Sequence, residues 1–201
     1  MDEPRIAPLL PPRDWPIEMR AALAAIKPAR PRHPYPVAGD DRPKGLNALG
    51  TLAHHPALTE AFHTFSGHIL FGTTLSVRQR ELVVLRIAVV RRVRYEWVQH
   101  VVLARDAGIS DEEIARVADA PGAPGWSPLE RAMLAAVDEL LDEASIRDDT
   151  WAVLSSELDD RQLMDLVFTV GAYDVLAMAL RSFRVLLDDD LARVDPVREV
   201  G

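Results

Sequence analysis

Apolar residues recur at helical spacing along most of this chain. Met19, Leu23 and Ile26 predict a short amphipathic helix over Ile17–Lys27. Leu58, Ala61, Phe62, Phe65 and Ile69 draw a second stripe, opened by a first-turn proline at Pro56 and running to Gly72. Ser76 is placed as an N-cap for the run from Glu81 through Leu82, Val83, Leu85, Ile87, Ala88 and Val89, which is apolar on too many faces for a surface helix and predicts a central buried one. Tyr95–Ala107 follows, stopped by Gly108, and Ser110 with Glu113 forms a capping-box signature for Asp111–Ala118. Pro121, Gly122, Pro124 and Gly125 impose a loop. Ser127, Pro128 and Glu130 then start a helix through Leu141, Asp148 or Asp149 one through Leu158, and Asp159 or Asp160 a long one towards Leu187. No alternating strand pattern competes, so the predicted class is all-α.

The prolines divide the chain. Residues 1–16 are proline-rich, and Pro28, Pro31, Pro34, Pro36 and Pro43 deny the backbone donors and helical dihedrals, so both stretches read as arm or loop. The expected organisation is an N-terminal arm with one short helix over residues 1–43 and a helical domain over residues 44–201. Within that domain Leu75, Arg78, Gln79 and Val84 are echoed at constant offset by Leu158, Arg161, Gln162 and Val167, which leaves open a diverged duplication of a helical unit. Glu81, Glu96 and His100 then correspond to Met164, Ala179 and Phe183, so any chemistry belongs to the first copy.

Composition narrows the function. With 31 Asp and Glu against 23 Lys and Arg the formal charge is -8, a field that repels polyanions and argues against nucleic acid as a partner. There are no cysteines among the 201 residues, which excludes disulfides, thiolate metal sites and sulfur nucleophiles. The N-terminal prolines do not resemble an export signal, and the run Leu82–Val90, broken by Arg86, is too short to span a bilayer. The expectation is a cytoplasmic protein that does not enter membranes.

Three ionisable residues stand out. Glu96 and His100 are one turn apart on one helical face, where a carboxylate can tune an imidazole for proton transfer; a solvated surface pair has the same spacing. Glu81 opens the most hydrophobic helix of the chain, and a buried carboxylate needs a partner. If the two helices form a hairpin turning near Arg92, Glu81 comes within about a turn of His100. The competing reading leaves Glu81 solvated in the first turn, favoured by the helix dipole. His54, His55, His63 and His68 lack the spacing of paired ligands on one helical face, so no metal site is expected. Trp97, Trp126, Trp151 and Tyr173 read first as packing residues, with Trp97 close enough in sequence to His100 to line a pocket.

The stretch RQRELVVLRIAVVRRVRYEWVQHVVLARDAGISDEEI, residues 78–114, resembles the core of carboxymuconolactone decarboxylase and alkylhydroperoxidase D-like (AhpD-like) proteins. LMDLVFTVGAYDVLAMALRSF resembles their C-terminal helix, and the similarity covers most of the chain after Leu46. The peroxidase branch carries a glutamate, a CxxC pair and a histidine at a spacing that falls here on Glu81, Val93, Glu96 and His100. Glutamate and histidine are kept and both cysteines are replaced, so dithiol peroxide reduction is not implied. The YEWVQH form resembles the cysteine-free branch, which includes decarboxylases that convert carboxymuconolactone to an enol-lactone of 3-oxoadipate in aromatic compound breakdown.

The resemblance implies an AhpD-like helical bundle, a small-molecule substrate, no cofactor, and a homo-oligomer, trimeric or hexameric. For a lyase of this kind His100 is assigned as proton donor, Glu96 as the group that orients it and Glu81 as the group that tunes its charge. Tyr95, Trp97 and Arg78 are assigned to substrate binding. An isomerase or hydratase using the same trio, or a scaffold that only assembles, fits the same residues.

Overall fold

The computed structural model describes residues 3–34 and 43–200; Pro36, within the second proline-rich stretch, lies outside them. Among the described residues there are nine α-helices and no strand: α1 Met19–Ala25, α2 Leu46–Leu52, α3 Pro56–Gly67, α4 Val77–Arg91, α5 Arg94–Asp106, α6 Asp111–Val117, α7 Pro128–Glu143, α8 Asp148–Glu157 and α9 Asp160–Phe183. The all-helical class holds. The chain forms two compact units.

One unit comprises Met1–Thr73 with Met178–Val194. Its core packs Met19, Ala22 and Ala53 with Leu9, Trp15 and Leu23, so the N-terminal arm contributes apolar side chains as well as loop. α1 lies close against α3: His63 Nδ1 is 2.8 Å from the carbonyl oxygen of Ala22, and a Cβ at Gly67 would come 2.6 Å from the carbonyl oxygen of Ile26. Glycine is therefore required by the approach of the two backbones. A π-type turn, His68–Gly72, extends α3 to the glycine where the apolar stripe ends.

The second unit comprises Thr74–Ala177 with Asp195–Gly201. α4 is its centre, packed on α5, α6 and α7, and every residue from Arg80 to Ala88 is buried, which is why the helix shows no polar face. Ser76 and Gln79 close a capping box at its start. At its end Arg92 adopts a left-handed conformation (φ 55), turning the chain directly into α5. The arginines of α4 act as ties. Arg86 pairs with Asp138 on α7 and donates to the carbonyls of Val117 and Asp119, the C-terminal end of α6, where the helix dipole favours a cation. Arg91 pairs with Asp174 on α9.

Three local expectations change. α2 forms where no helix start is written, with Gly45 at its N-cap in the left-handed region (φ 64). α9 stops at Phe183 instead of continuing towards Leu187, because Arg184 turns left-handed (φ 54) and the N–H of Val185 reaches back to Leu180. The sequence echo marks two similar helix starts: Asp159 and Gln162 cap α9 reciprocally, as Ser76 and Gln79 cap α4. Beyond the starts the copies part, since α9 runs straight through the position where α4 ends and turns into α5. α9 is long and apolar enough to cross a membrane by length and composition alone, and half of its apolar window is buried in the structure.

Candidate functional site

The left-handed turn at Arg92 folds α5 back along α4, and this brings the second turn of α4 level with the middle of α5. Glu81 is fully buried there, and its Oε2 lies 2.7 Å from Nδ1 of His100. Its other oxygen accepts from Nε and Nη2 of Arg80 at 2.9 and 2.7 Å. Neighbouring residues on a helix do not ordinarily face each other, but the arginine side chain is long enough to fold back onto the adjacent carboxylate. Arg80 and His100 are themselves buried. Burial alone would push the Glu81 carboxyl up; the His100 and Arg80 charges and hydrogen bonds outweigh it and hold the group below its ordinary value. The reading that left Glu81 solvated is excluded.

Holding Nδ1 fixes the ring and aims the other nitrogen away from Glu81. Tyr173 of α9 meets the imidazole edge-on, with centroids 5.0 Å apart and planes at 82°. Its phenol is pushed well above the usual range by burial, with further contributions from Glu81 and Glu96, so it stays neutral.

Glu96 is also buried, at 2% exposure, yet neither carboxylate oxygen has a hydrogen-bond partner. Burial, with the charge of Asp174, pushes its carboxyl pKa well above the ordinary glutamate range. The partner of the imidazole is thus Glu81 and not Glu96; of the two carboxylates, the one distant in sequence orients the ring, and the one a turn away stays unbonded.

The other expected site residues are placed as follows. Tyr95 is buried in the first turn of α5. Trp97 is fully buried and its indole N–H donates to the carbonyl of Pro196 at 2.9 Å, which makes it a packing residue held by the C-terminal segment. Arg78 is not at the Glu81–His100 pair: its guanidinium bonds Glu113 and Glu130, the N3 carboxylates of the α6 and α7 capping boxes, so it fastens two helix starts. Arg80 and Tyr173 were missed as members of the site. The signal for Arg80 was the demand of a buried Glu81 for a cation; Tyr173 carried none, because its approach depends on how α9 packs.

No group of side chains among the described residues could hold a metal ion. The arrangement offers instead an imidazole oriented by an ionised carboxylate, beside a neutral phenol and a buried carboxyl. These are the components of general acid–base catalysis.

Residues 56–139 match the model of the carboxymuconolactone decarboxylase family. No curated protein matches the sequence. Among solved structures, the chain is similar to the Agrobacterium tumefaciens protein ATU0492, described as a putative antioxidant defence protein AhpD (TM-score 0.64, 21% identity, covering 68% of this chain and 94% of that one). It is similar to a peroxidase-related protein with an alkylhydroperoxidase AhpD core from Ralstonia eutropha JMP134 (TM-score 0.65, 20% identity, 79% and 95% covered). A third is a cysteine-to-alanine variant of the debrominase Bmp8 in complex with 2,3,4-tribromopyrrole (TM-score 0.70, 12% identity, 93% of each chain covered). At these identities the likeness is one of fold. The family match across α3–α7, with the glutamate–histidine pair at the heart of that segment, and this likeness of fold both support the carboxymuconolactone decarboxylase/AhpD-like superfamily.

Proposed function

We propose that this protein is a cysteine-free enzyme of proton transfer, a carbon–carbon lyase of the carboxymuconolactone type acting on a small unsaturated lactone or carbonyl acid. The observation that carries this reading is the buried Glu81–His100 hydrogen bond: a carboxylate held ionised on one ring nitrogen leaves the other to give or take a proton. In the decarboxylation, the electron pair of the broken C–C bond enters the unsaturated carbonyl system as CO2 leaves. It returns to carbon as a C–H bond with a proton from His100, which solvent then replaces.

The ligand held by the debrominase, 2,3,4-tribromopyrrole, is a small ring, which accords with a small-molecule site on this fold. The variant used there lacks a cysteine of that protein, whereas this chain has none to employ. Arg78, Arg86 and Arg91 are committed to carboxylates of the protein. That favours lactones with at most one carboxylate over strongly anionic ones. An isomerase of the same trio differs only in releasing no CO2, because a proton donor does not disclose the carbon it serves.

A homo-oligomer, trimeric or hexameric, is part of the proposal. Met164, Phe168, Gly171 and Val175 are exposed on α9 at the alternating spacing of a helical seam, which supports association of copies. The protein is taken to work in the cytoplasm.

The test is a screen of carboxymuconolactone and monocarboxylate lactones, followed for CO2 release and for ring isomerisation. Activity that survives intact in His100→Ala ends the catalytic reading and leaves a scaffold.

A further inference from the structure

Among the described residues, Glu96 is a buried carboxylate of this region that no hydrogen bond answers. Glu81 is bonded by Arg80 and His100, Glu139 by Arg147 and Thr150, and Asp165 by Thr74. Glu96 is 2% exposed, and neither oxygen has a partner. An ionised carboxylate left in that state is strongly disfavoured, and the negative charge of Asp174 deepens the effect. The side chain is an uncharged carboxylic acid with an O–H to donate.

Its position gives that O–H a use. Glu96 and His100 lie one turn apart on α5, on the face where Cβ atoms are about 5–6 Å apart. His100 spends Nδ1 on Glu81, and Nε2 has no partner among the described residues. One face of one helix therefore carries an acid that donates and an imidazole that exchanges a proton.

We propose that Glu96 is a substrate-binding acid of this site: its neutral carboxyl donates a hydrogen bond to the carbonyl oxygen of an enolisable lactone or ketone while His100 moves the proton at carbon. The inference rests on the proton-transfer reading and deepens it by naming the atom recognised. As the C–H or C–C bond breaks, its electron pair passes to the carbonyl oxygen, giving an enolate, and the Glu96 hydrogen bond shortens onto that oxygen without transferring its proton. When the pair returns, His100 supplies the proton to carbon and the carbonyl is restored. A carboxylic acid kept neutral at pH 7 by an apolar site is suited to this role, since a charged one could only repel the enolate.

Infrared spectroscopy of the full-length protein at neutral pH tests it, with α-angelica lactone as the probe. A protonated-carboxyl stretch is expected in the wild type and absent in Glu96→Gln, and it is expected to move to lower frequency when lactone is added. No such band, or a band that stays in place with lactone present, overturns the inference. Deuterium uptake from D2O into the lactone ring, lost in His100→Gln, reports the proton-transfer reading separately, and Glu96→Ala is expected to slow it about 100-fold. Uptake with an unmoved band removes the role of Glu96 alone. A moved band without uptake removes the enolate chemistry, and with it the proposal.

Discussion

His100 is hydrogen-bonded at 2.7 Å to Glu81, nineteen residues earlier in the chain, and not to Glu96, one turn away on its own helix. Glu81 is in turn fixed by Arg80, so a chain of charge runs guanidinium, carboxylate, imidazole through the interior. Two mutations separate its parts. Glu81→Gln breaks a fully buried ion pair by removing the carboxylate that Arg80 and His100 both bond, and is expected to cost about 3–5 kcal/mol in chemical denaturation. His100→Gln leaves the Arg80–Glu81 pair intact and is expected to lower turnover by about 100-fold to 10,000-fold while the fold survives. A His100 variant with normal turnover would refute the assignment.

Glu81 and Glu96 give opposite pH dependences. The Glu81 carboxyl lies below its ordinary value in the folded protein, so the stability it contributes is present above the unfolded pKa and is lost as pH falls through the folded one. Glu96 lies well above its ordinary value, so its contribution is complete below the unfolded pKa, ~4.3, and is lost as pH rises through the folded one. Between those two values the wild type is expected to lose about 1.4 kcal/mol per pH unit from this group, and Glu96→Gln to lack that slope. Urea denaturation of both proteins from just above the unfolded carboxyl pKa upward through neutrality measures it; parallel curves throughout would show that Glu96 is ionised in the fold.

Arg78 is structural on this geometry. It bonds the carboxylates that complete two capping boxes: Arg78 is the main group that holds Glu113 below the ordinary glutamate range, and at Glu130, where burial opposes, it adds to the hydrogen bond from the Ser127 backbone N–H. Because its side chain is 34% exposed, solvent weakens the ion pairs, and Arg78→Ala is expected to destabilise by about 1–2 kcal/mol, less at high salt. KM for a turned-over lactone should not change. A KM raised tenfold with stability intact would return Arg78 to the substrate.

Gly67 tests the packing of α1 on α3. An added methyl would stand 2.6 Å from the Ile26 carbonyl oxygen, a backbone atom that cannot rotate aside. Gly67→Ala is expected to lower stability by about 1–3 kcal/mol despite the better helix propensity of alanine. A stabilised variant, read by thermal melting, would mean that the two helices stand further apart.

The seam on α9 predicts association. Light scattering is expected to find more than one copy of the wild type, and Val175→Asp is expected to reduce the assembly. A monomeric wild type would leave Met164, Phe168 and Val175 without an oligomeric explanation.

What the sequence determined by itself was local. Ser76, Ser110 and Ser127, each three residues before a Gln or Glu, set the starts of α4, α6 and α7, because a capping box is satisfied within one turn of chain. The apolar run after Glu81, interrupted only by Arg86, announced a helix buried on all sides, and the absence of cysteine closed the route to thiol chemistry. The tertiary structure decided everything that depends on distance between elements. Glu81 and Glu96 are the same residue type at comparable burial, and no local pattern tells which one the histidine bonds; the Arg92 turn settles it by the register in which α5 lies on α4. Packing likewise chose Arg80 over Arg78 as the cation of the site and brought Tyr173 to the imidazole, since a guanidinium or a ring acts over a few ångströms whatever its place in the chain.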